Sequence, residues 1–243
     1  MGPHRLRRLE KVILRMRYAV YFTPPEAHPL TCAAATWLGR NAFNGGETVA
    51  SSPRTDLAHD QWLAATAEPR RYGFHATMKA PFSLHPDMQA HTLHDAFRSF
   101  CQATAATVIP RLVLAQLGPF FALVPGGQCC AVAELGAACV EAFELFRAPL
   151  SATDMARRKP ERLTARQRQH LERWGYPYVL DEFRFHMTLT GPIETADQPR
   201  MRAILEERFA PFIGQPLAIG HLALFVEEER GSPFKVAELL PLT

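Results

Sequence analysis

At 243 residues, 47% hydrophobic and 21% charged, the chain holds enough apolar material to bury its own core without a metal or disulfide staple. No apolar run approaches the roughly 18 residues that a membrane helix needs, and no apolar stretch of the signal-peptide kind follows the basic N-terminus. The net charge of +3 overstates the basicity of the body: Arg5, Arg7, Arg8, Lys11, Arg15 and Arg17 against Glu10 give residues 1–17 a net of +5 and leave −2 for the rest, which argues against an extended nucleic-acid groove.

The five cysteines (Cys32, Cys101, Cys129, Cys130, Cys139) are odd in number and lack CxxC or Cys/His spacing, so free thiols in a reducing cytoplasm are expected and a zinc knuckle is not. Residues 1–16 read as a flexible basic segment. A short docking helix, or a start at Met16, is the other reading of the same stretch.

RYAVYFTP (17–24) alternates like a strand and stops at Pro24-Pro25. Residues 29–38 form a predicted helix, with Pro29 at its first turn and Gly39 at its end. The Gly/Ser-rich stretch 44–56 is a predicted surface loop and a candidate lid, and 57–67 a helix. A strand follows at 73–79, then an amphipathic helix over 88–106 with Leu93, Phe97 and Phe100 on its apolar face. A strand is expected at 112–117, followed by a further apolar segment at 120–124, a Pro-Gly-Gly turn at 125–127 and a strand at 130–135. Helices are expected at 137–147 and 160–173. The second carries Arg157, Arg158, Arg162, Arg166 and Arg168 on or beside it, either a solvated face or a phosphate or RNA contact. A further strand at 183–190, a helix at 198–210 and a hairpin of 217–227 with 234–240 complete the chain.

Two segments repeat: FHATMKAP (74–81) and FHMTLTGP (185–192). The following elements recur in the same order, Leu112 and Phe120 matching Leu217 and Phe225, and AVAEL (131–135) matching KVAEL (235–239). The expectation is an α+β fold in one domain over 17–243, built from duplicated units near 73–135 and 183–240 about a pseudo-twofold axis.

On a strand, alternate side chains share a face. His75, Thr77 and Lys79 therefore point one way and Phe74, Ala76 and Met78 the other, while Arg184, His186, Thr188 and Thr190 oppose Phe183, Phe185, Met187 and Leu189. Two imidazoles with a hydroxyl beside each suit a phosphoester: one histidine accepts a proton, the other donates one to the leaving oxygen, and the threonines bind non-bridging oxygens. Lys79, Thr190, Arg184 and Tyr72 are further candidate substrate contacts, though Lys79 and Arg184 could equally reach solvent and Tyr72 could simply pack. Tyr18 and Tyr21 face opposite ways, so at most one lines the cleft. No HExxH, DxD or carboxylate cluster accompanies the histidines, so neither metal nor cofactor is expected. His91 and His94, three apart on a helix, lack a third ligand.

The paired His-x-Thr motifs resemble those of the 2H phosphoesterase superfamily, which implies a bilobal fold of two antiparallel sheets flanking a cleft, His75 and His186 as acid and base, and Thr77 and Thr188 as phosphate ligands. More narrowly, RYGFHATMKAPF (71–82) with FRFHMTLTGP (183–192), behind RYAVYFTP, is similar to a bacterial subgroup of phosphonate metabolism proteins. That resemblance implies opening of a small cyclic ribose phosphate, with Lys79 offering a charge to a second phosphate. A small phosphorylated sugar or nucleotide is the expected partner. An RNA 2′,3′-cyclic phosphodiesterase or ligase-like enzyme, and a non-catalytic phosphate-binding module, are the alternatives. No membrane partner is expected, and nothing in the sequence specifies an oligomeric state.

Overall fold

The computed structural model describes residues 16–45 and 57–243. The basic segment 1–15 and most of the candidate lid at 44–56 lie outside the described residues. In chain order the elements are β1 (Arg17–Phe22), α1 (Pro29–Leu38), α2 (His59–Tyr72), β2 (Ala76–Phe82), α3 (Ala90–Gln102), β3 (Thr107–Ile109), β4 (Leu112–Leu117), β5 (Phe120–Pro125), α4 (Cys130–Ala142), α5 (Ala152–Arg157), α6 (Ala165–Trp174), β6 (Met187–Thr188), α7 (Gln198–Phe209), β7 (Leu217–Ile219), β8 (His221–Glu227) and β9 (Lys235–Pro241). The mixed α+β architecture with two antiparallel sheets is as expected. Seven strands join in the order β4-β5-β6-β2-β1-β8-β9, and β3 pairs with β7 in a second sheet.

The punctuation residues act where expected. Pro29 opens α1 behind His28, whose ring accepts from the Leu30 amide, and Gly39 closes the helix at φ 71°. Along β1, Tyr18, Val20 and Phe22 enter the main core with Trp37 of α1, Phe97 of α3, Cys139 of α4 and Phe209 of α7. The alternate residues Ala19 and Tyr21 enter a smaller cluster with Ala223, Phe225 and Phe234 on the opposite face. That second face carries the site.

The sequence strand–helix–strand–strand recurs as β2-α3-β3-β4 and β6-α7-β7-β8. The recurring strands β2 and β6 are neighbours in the middle of the large sheet, and β3 lies against β7. The slot beside β6 is filled by β5 of the first unit, whereas the slot beside β2 is filled by β1, which precedes both units.

Two residue matches used to extend the repeat do not hold. Leu112 opens β4 whereas Leu217 opens β7, and Phe120 opens β5 whereas Phe225 lies inside β8. AVAEL is not a strand: residues 131–135 belong to α4, in a run CAVAELGAACVEA dominated by good helix formers, while VAEL at 236–239 is in β9. The same four letters take the structure of their surroundings. The helix expected at 160–173 is also shorter, because Thr164 and Gln167 form a capping box that starts α6 at Ala165.

A bulge in β2 corrects the strand parity. Tyr21 pairs with Thr77 but its neighbour Val20 pairs with Lys79, so Met78 is the extra residue. Met78 and Lys79 consequently both face the core, at 1% and 3% exposure. Lys79 does not reach the cleft: its ammonium donates to the Val140 carbonyl of α4 and to Glu144, both at 2.8 Å. Glu144 also accepts from Arg147. Burial lowers the Lys79 pKa, with Glu144 acting in the opposite direction. Lys79→Ala is expected to reduce unfolding free energy in urea by about 1–3 kcal/mol, with the substrate KM unaffected. An increase in KM without loss of stability would restore Lys79 to the cleft.

Candidate active site

The two motif strands meet at one paired position, Ala76 opposite Met187. In antiparallel register this sets His75 across from Thr188 and Thr77 across from His186, all four on the face opposite the buried Ala76 and Met187. Each imidazole thus has a threonine two residues along its own strand and another directly across. The histidines occupy the diagonal, a Cβ separation of about 7 Å, and the His186 charge acts on His75. His75, Thr77, His186 and Thr188 line one cavity of about 260 Å³ together with Thr190, Tyr72, Tyr21, Phe120, Arg17, Arg158 and Tyr176.

Both histidines are held the same way. His75 Nδ1 lies 2.9 Å from the Gly73 carbonyl, and His186 Nδ1 lies 2.7 Å from the Arg184 carbonyl. A carbonyl only accepts, so each Nδ1 carries the proton and each Nε2 is left for the cleft. Thr77 Oγ1 sits 3.2 Å from His75 Nε2 and, in this tautomer, donates to it. Gly73 is required for this geometry. It closes α2 at φ 78°, and a Cβ there would lie 2.6 Å from that of Ala42.

The surroundings of the two rings differ. Tyr21 stacks on His75 with centroids 3.9 Å apart and planes at 23°, while Tyr72 lies 5.9 Å away and itself stacks on Phe234. Burial lowers the His75 pKa to about 4, helped by His186 and opposed by the Gly73 hydrogen bond. His75 is therefore neutral at physiological pH, with its Nε2 lone pair accepting from Thr77 and able to accept from a substrate-side group once that hydroxyl turns away. Among the described residues His186 has a single ring neighbour, Phe120, at 6.1 Å.

The remaining sequence candidates separate. Thr190 lines the cavity, but its hydroxyl also accepts the Phe121 amide at 3.0 Å, where the chain leaves the β5 ladder. Leu189 and Gly191 complete that departure: the Leu189 carbonyl accepts the Trp37 indole, and the Gly191 amide donates to Ala65. Arg184 is a correction: its side chain lines a different cavity with Asp181 and Gln128, and only its carbonyl serves the site. The ladder of β6 covers just Met187–Thr188, so alternation fails at Arg184. Of the two tyrosines in β1, Tyr21 is the one in the cleft.

Sequence reasoning missed Arg17 and Tyr176, while Arg158 stood within the basic run as one of two readings. Arg17 and Arg71 both pair with Glu227, a carboxylate at 0% exposure that also accepts the Gly231 amide. Burial opposes ionisation of Glu227, but its hydrogen bonds and the Arg17 charge bring the pKa below the usual value. Arg158 lies over the Tyr176 ring at 4.9 Å. His94 is bonded to Glu238 at 2.9 Å. Among the described residues no group of three or more His, Cys, Asp or Glu is placed to hold a metal ion, and no helix is long and apolar enough to cross a membrane.

Comparison with known proteins matches the chain to a family whose own description names no activity. The family described as "Protein of unknown function (DUF1045)" matches residues 77–235, more than half of the chain and most of both motif units. The chain belongs to this family. It is also similar to a "Ribose 1,5-bisphosphate phosphokinase PhnN" of Janthinobacterium sp. (strain Marseille), 38% identical over 231 residues that cover 93% of this chain and 51% of the relative. A protein of the same name from Laribacter hongkongensis (strain HLHK9) is 35% identical over 225 residues, covering 93% and 52%. The chain thus spans about half the length of the curated relatives it matches.

A histidine whose folded-state pKa lies near 4, against an ordinary 6.5, binds fewer protons folded than unfolded between those values. Its contribution to stability is complete above about 6.5 and falls as pH drops toward 4. Imidazole NMR should show His75 titrating near 4 with its proton on Nδ1, and Tyr21→Leu should raise that midpoint by opening the ring to water. A wild-type midpoint near 6.5 would contradict the buried, neutral assignment.

Proposed function

We propose that this chain is a metal-independent phosphoesterase that hydrolyses a small cyclic phosphodiester, a cyclic ribose phosphate of phosphonate catabolism, with His75 and His186 as its acid–base pair. The observation that carries the reading is the diagonal arrangement, in which two Nε2 atoms with fixed tautomers face one cavity and a threonine hydroxyl lies beside and across from each.

In the forward reaction His75, neutral because of its burial, takes a proton from water as the oxygen attacks phosphorus. The phosphorus–oxygen bond to one ribose hydroxyl position breaks. His186, as the acid, gives that departing oxygen its proton, and the new phosphomonoester leaves with the sugar. Charge building on the non-bridging oxygens is met by the hydroxyls of Thr77 and Thr188 and by the Arg158 guanidinium at the cavity wall. On turnover, His186 regains and His75 loses one proton to solvent.

The names of the relatives support a place beside phosphorylated ribose, although they name a kinase. This chain contains no G-x-x-x-x-G-K-[S/T] phosphate loop, and it matches only about half of each relative. We therefore attribute the named kinase step to the part of those proteins that this chain does not match. Opening a 1,2-cyclic phosphate at its O2 bond leaves the phosphate on O1. On a ribose already phosphorylated at O5 this yields ribose 1,5-bisphosphate, the compound in the relatives' name. The RNA alternative loses support from the basic run: Arg166 is paired with Asp181, and Arg168 donates to the Leu163 carbonyl.

His75→Ala and His186→Ala should each lower kcat on 5-phosphoribosyl 1,2-cyclic phosphate about 10²–10⁴-fold, and Thr188→Val about 10²-fold, in the presence of EDTA. Full turnover by the double histidine variant, or complete loss of wild-type activity to EDTA, would overturn the mechanism. Faster turnover of a 2′,3′-cyclic oligonucleotide than of the sugar would favour the RNA alternative. Binding of the sugar without any turnover would favour the non-catalytic module.

A further inference from the structure

Beside the histidine cleft lies a second cavity of about 390 Å³ whose wall includes six arginines: Arg17, Arg71, Arg147, Arg157, Arg158 and Arg230. The two cavities adjoin, with Arg17, Tyr72, Pro81 and Arg158 in the walls of both. The carboxylates nearby do not balance this charge. Glu227 is shared by Arg17 and Arg71, Glu144 is taken by Arg147, and Asp154 by Arg230. Among the described residues Arg157 and Arg158 have no carboxylate partner.

Clustering of like charges costs free energy unless an anion compensates it. The cost is visible at Arg230, whose pKa is lowered by burial and then by the charges of Arg17 and Arg71. The two uncompensated guanidiniums come from the end of α5 and the residue after it, immediately before Lys159 turns the chain at φ 48°. This left-handed conformation is uncommon for a residue with a side chain. Six guanidiniums against three carboxylates leave an excess matched to an anion carrying more than one charge. A phosphate monoester is such an anion near neutral pH, with a second pKa of about 6, whereas a diester carries a single charge.

We propose that this arginine cavity binds a terminal phosphate monoester of the substrate, so that the preferred substrate carries two phosphates. The cyclic diester lies between His75 and His186, and the monoester lies against Arg157, Arg158 and Arg230. The proposal rests on the function proposed above for its catalytic half. It also moves recognition of a second phosphate from Lys79, which is buried against α4, to a surface drawn from five separate parts of the chain.

Titration calorimetry of the full chain with ribose 5-phosphate and with ribose tests the site without needing turnover. Ribose 5-phosphate should bind at least tenfold more tightly than ribose, and Arg157→Gln should remove most of that difference. Arg157 is exposed at the end of a short helix, so this variant is expected to fold, and Arg230→Gln provides a second variant with the same expected loss. Equal binding of the two sugars, or the same discrimination in wild type and both variants, would overturn the proposal. The histidine variants separate the two readings. Discrimination that persists in a protein without histidine-dependent turnover would leave the monoester site standing and remove the phosphoesterase. Histidine-dependent turnover that is indifferent to a 5-phosphate would do the reverse.

Discussion

The antiparallel contact between β2 and β6 positions everything else in the site. It consists of one paired position, Ala76 with Met187, and each of its residues is also locked from the core side at 1% and 0% exposure. A register slip of one residue would exchange the faces of a strand, burying an imidazole and a threonine while exposing Met187 and Leu189. Apolar burial of about 1.5–3 kcal/mol per large side chain therefore opposes any slip. The hydrophobic residues between the catalytic candidates hold the two histidines on a common diagonal.

Around that contact the near-symmetry is broken by what fills the flanking slots. On one side β5 pairs with β6; on the other β1 pairs with β2 and brings Tyr21 over His75. The two histidines share a backbone arrangement, each donating to the carbonyl two residues before it, but only one lies under a buried tyrosine. Burial under Tyr21 lowers the His75 pKa, so the β1 insertion is the physical source of the asymmetry between the surroundings of the two rings. The same strand begins at Arg17, whose pairing with Glu227 ties the cleft to the end of β8 and, through Arg71, to the end of α2.

Much of this was legible from residue order. Pro29 and Gly39 delimit α1 because each has one favoured place at a helix end. The alternation of Phe185, Met187 and Leu189 with His186 and Thr188 predicted the faces of β6 because one side of that strand is packed. Where the chain departs from regular geometry, the reading failed. The Met78 bulge moved Lys79 to the core, since parity counts residues and cannot see one left unpaired. Arg184 lies before the two-residue ladder of β6 begins, so alternation had no hold on it. AVAEL and KVAEL separated because a four-residue identity is too short to outweigh helix propensity and packing. The arginine cavity was hidden for another reason: Arg17, Arg71, Arg147, Arg157 and Arg230 are distant in sequence, and no local pattern marks their convergence.

The central claim is that His75 and His186 act on one phosphorus atom from opposite sides. It is tested most directly by a crystal structure with ribose 5-phosphate and orthovanadate, whose cyclic ester on the ribose O1 and O2 gives a five-coordinate vanadium that imitates phosphorus in transfer. The expected result is a single vanadate in the histidine cleft, with the Nε2 atoms of His75 and His186 at hydrogen-bonding distance from its two apical oxygens and the Thr77 and Thr188 hydroxyls on equatorial ones. Vanadate bound to only one histidine, or seated away from both, would contradict the shared site.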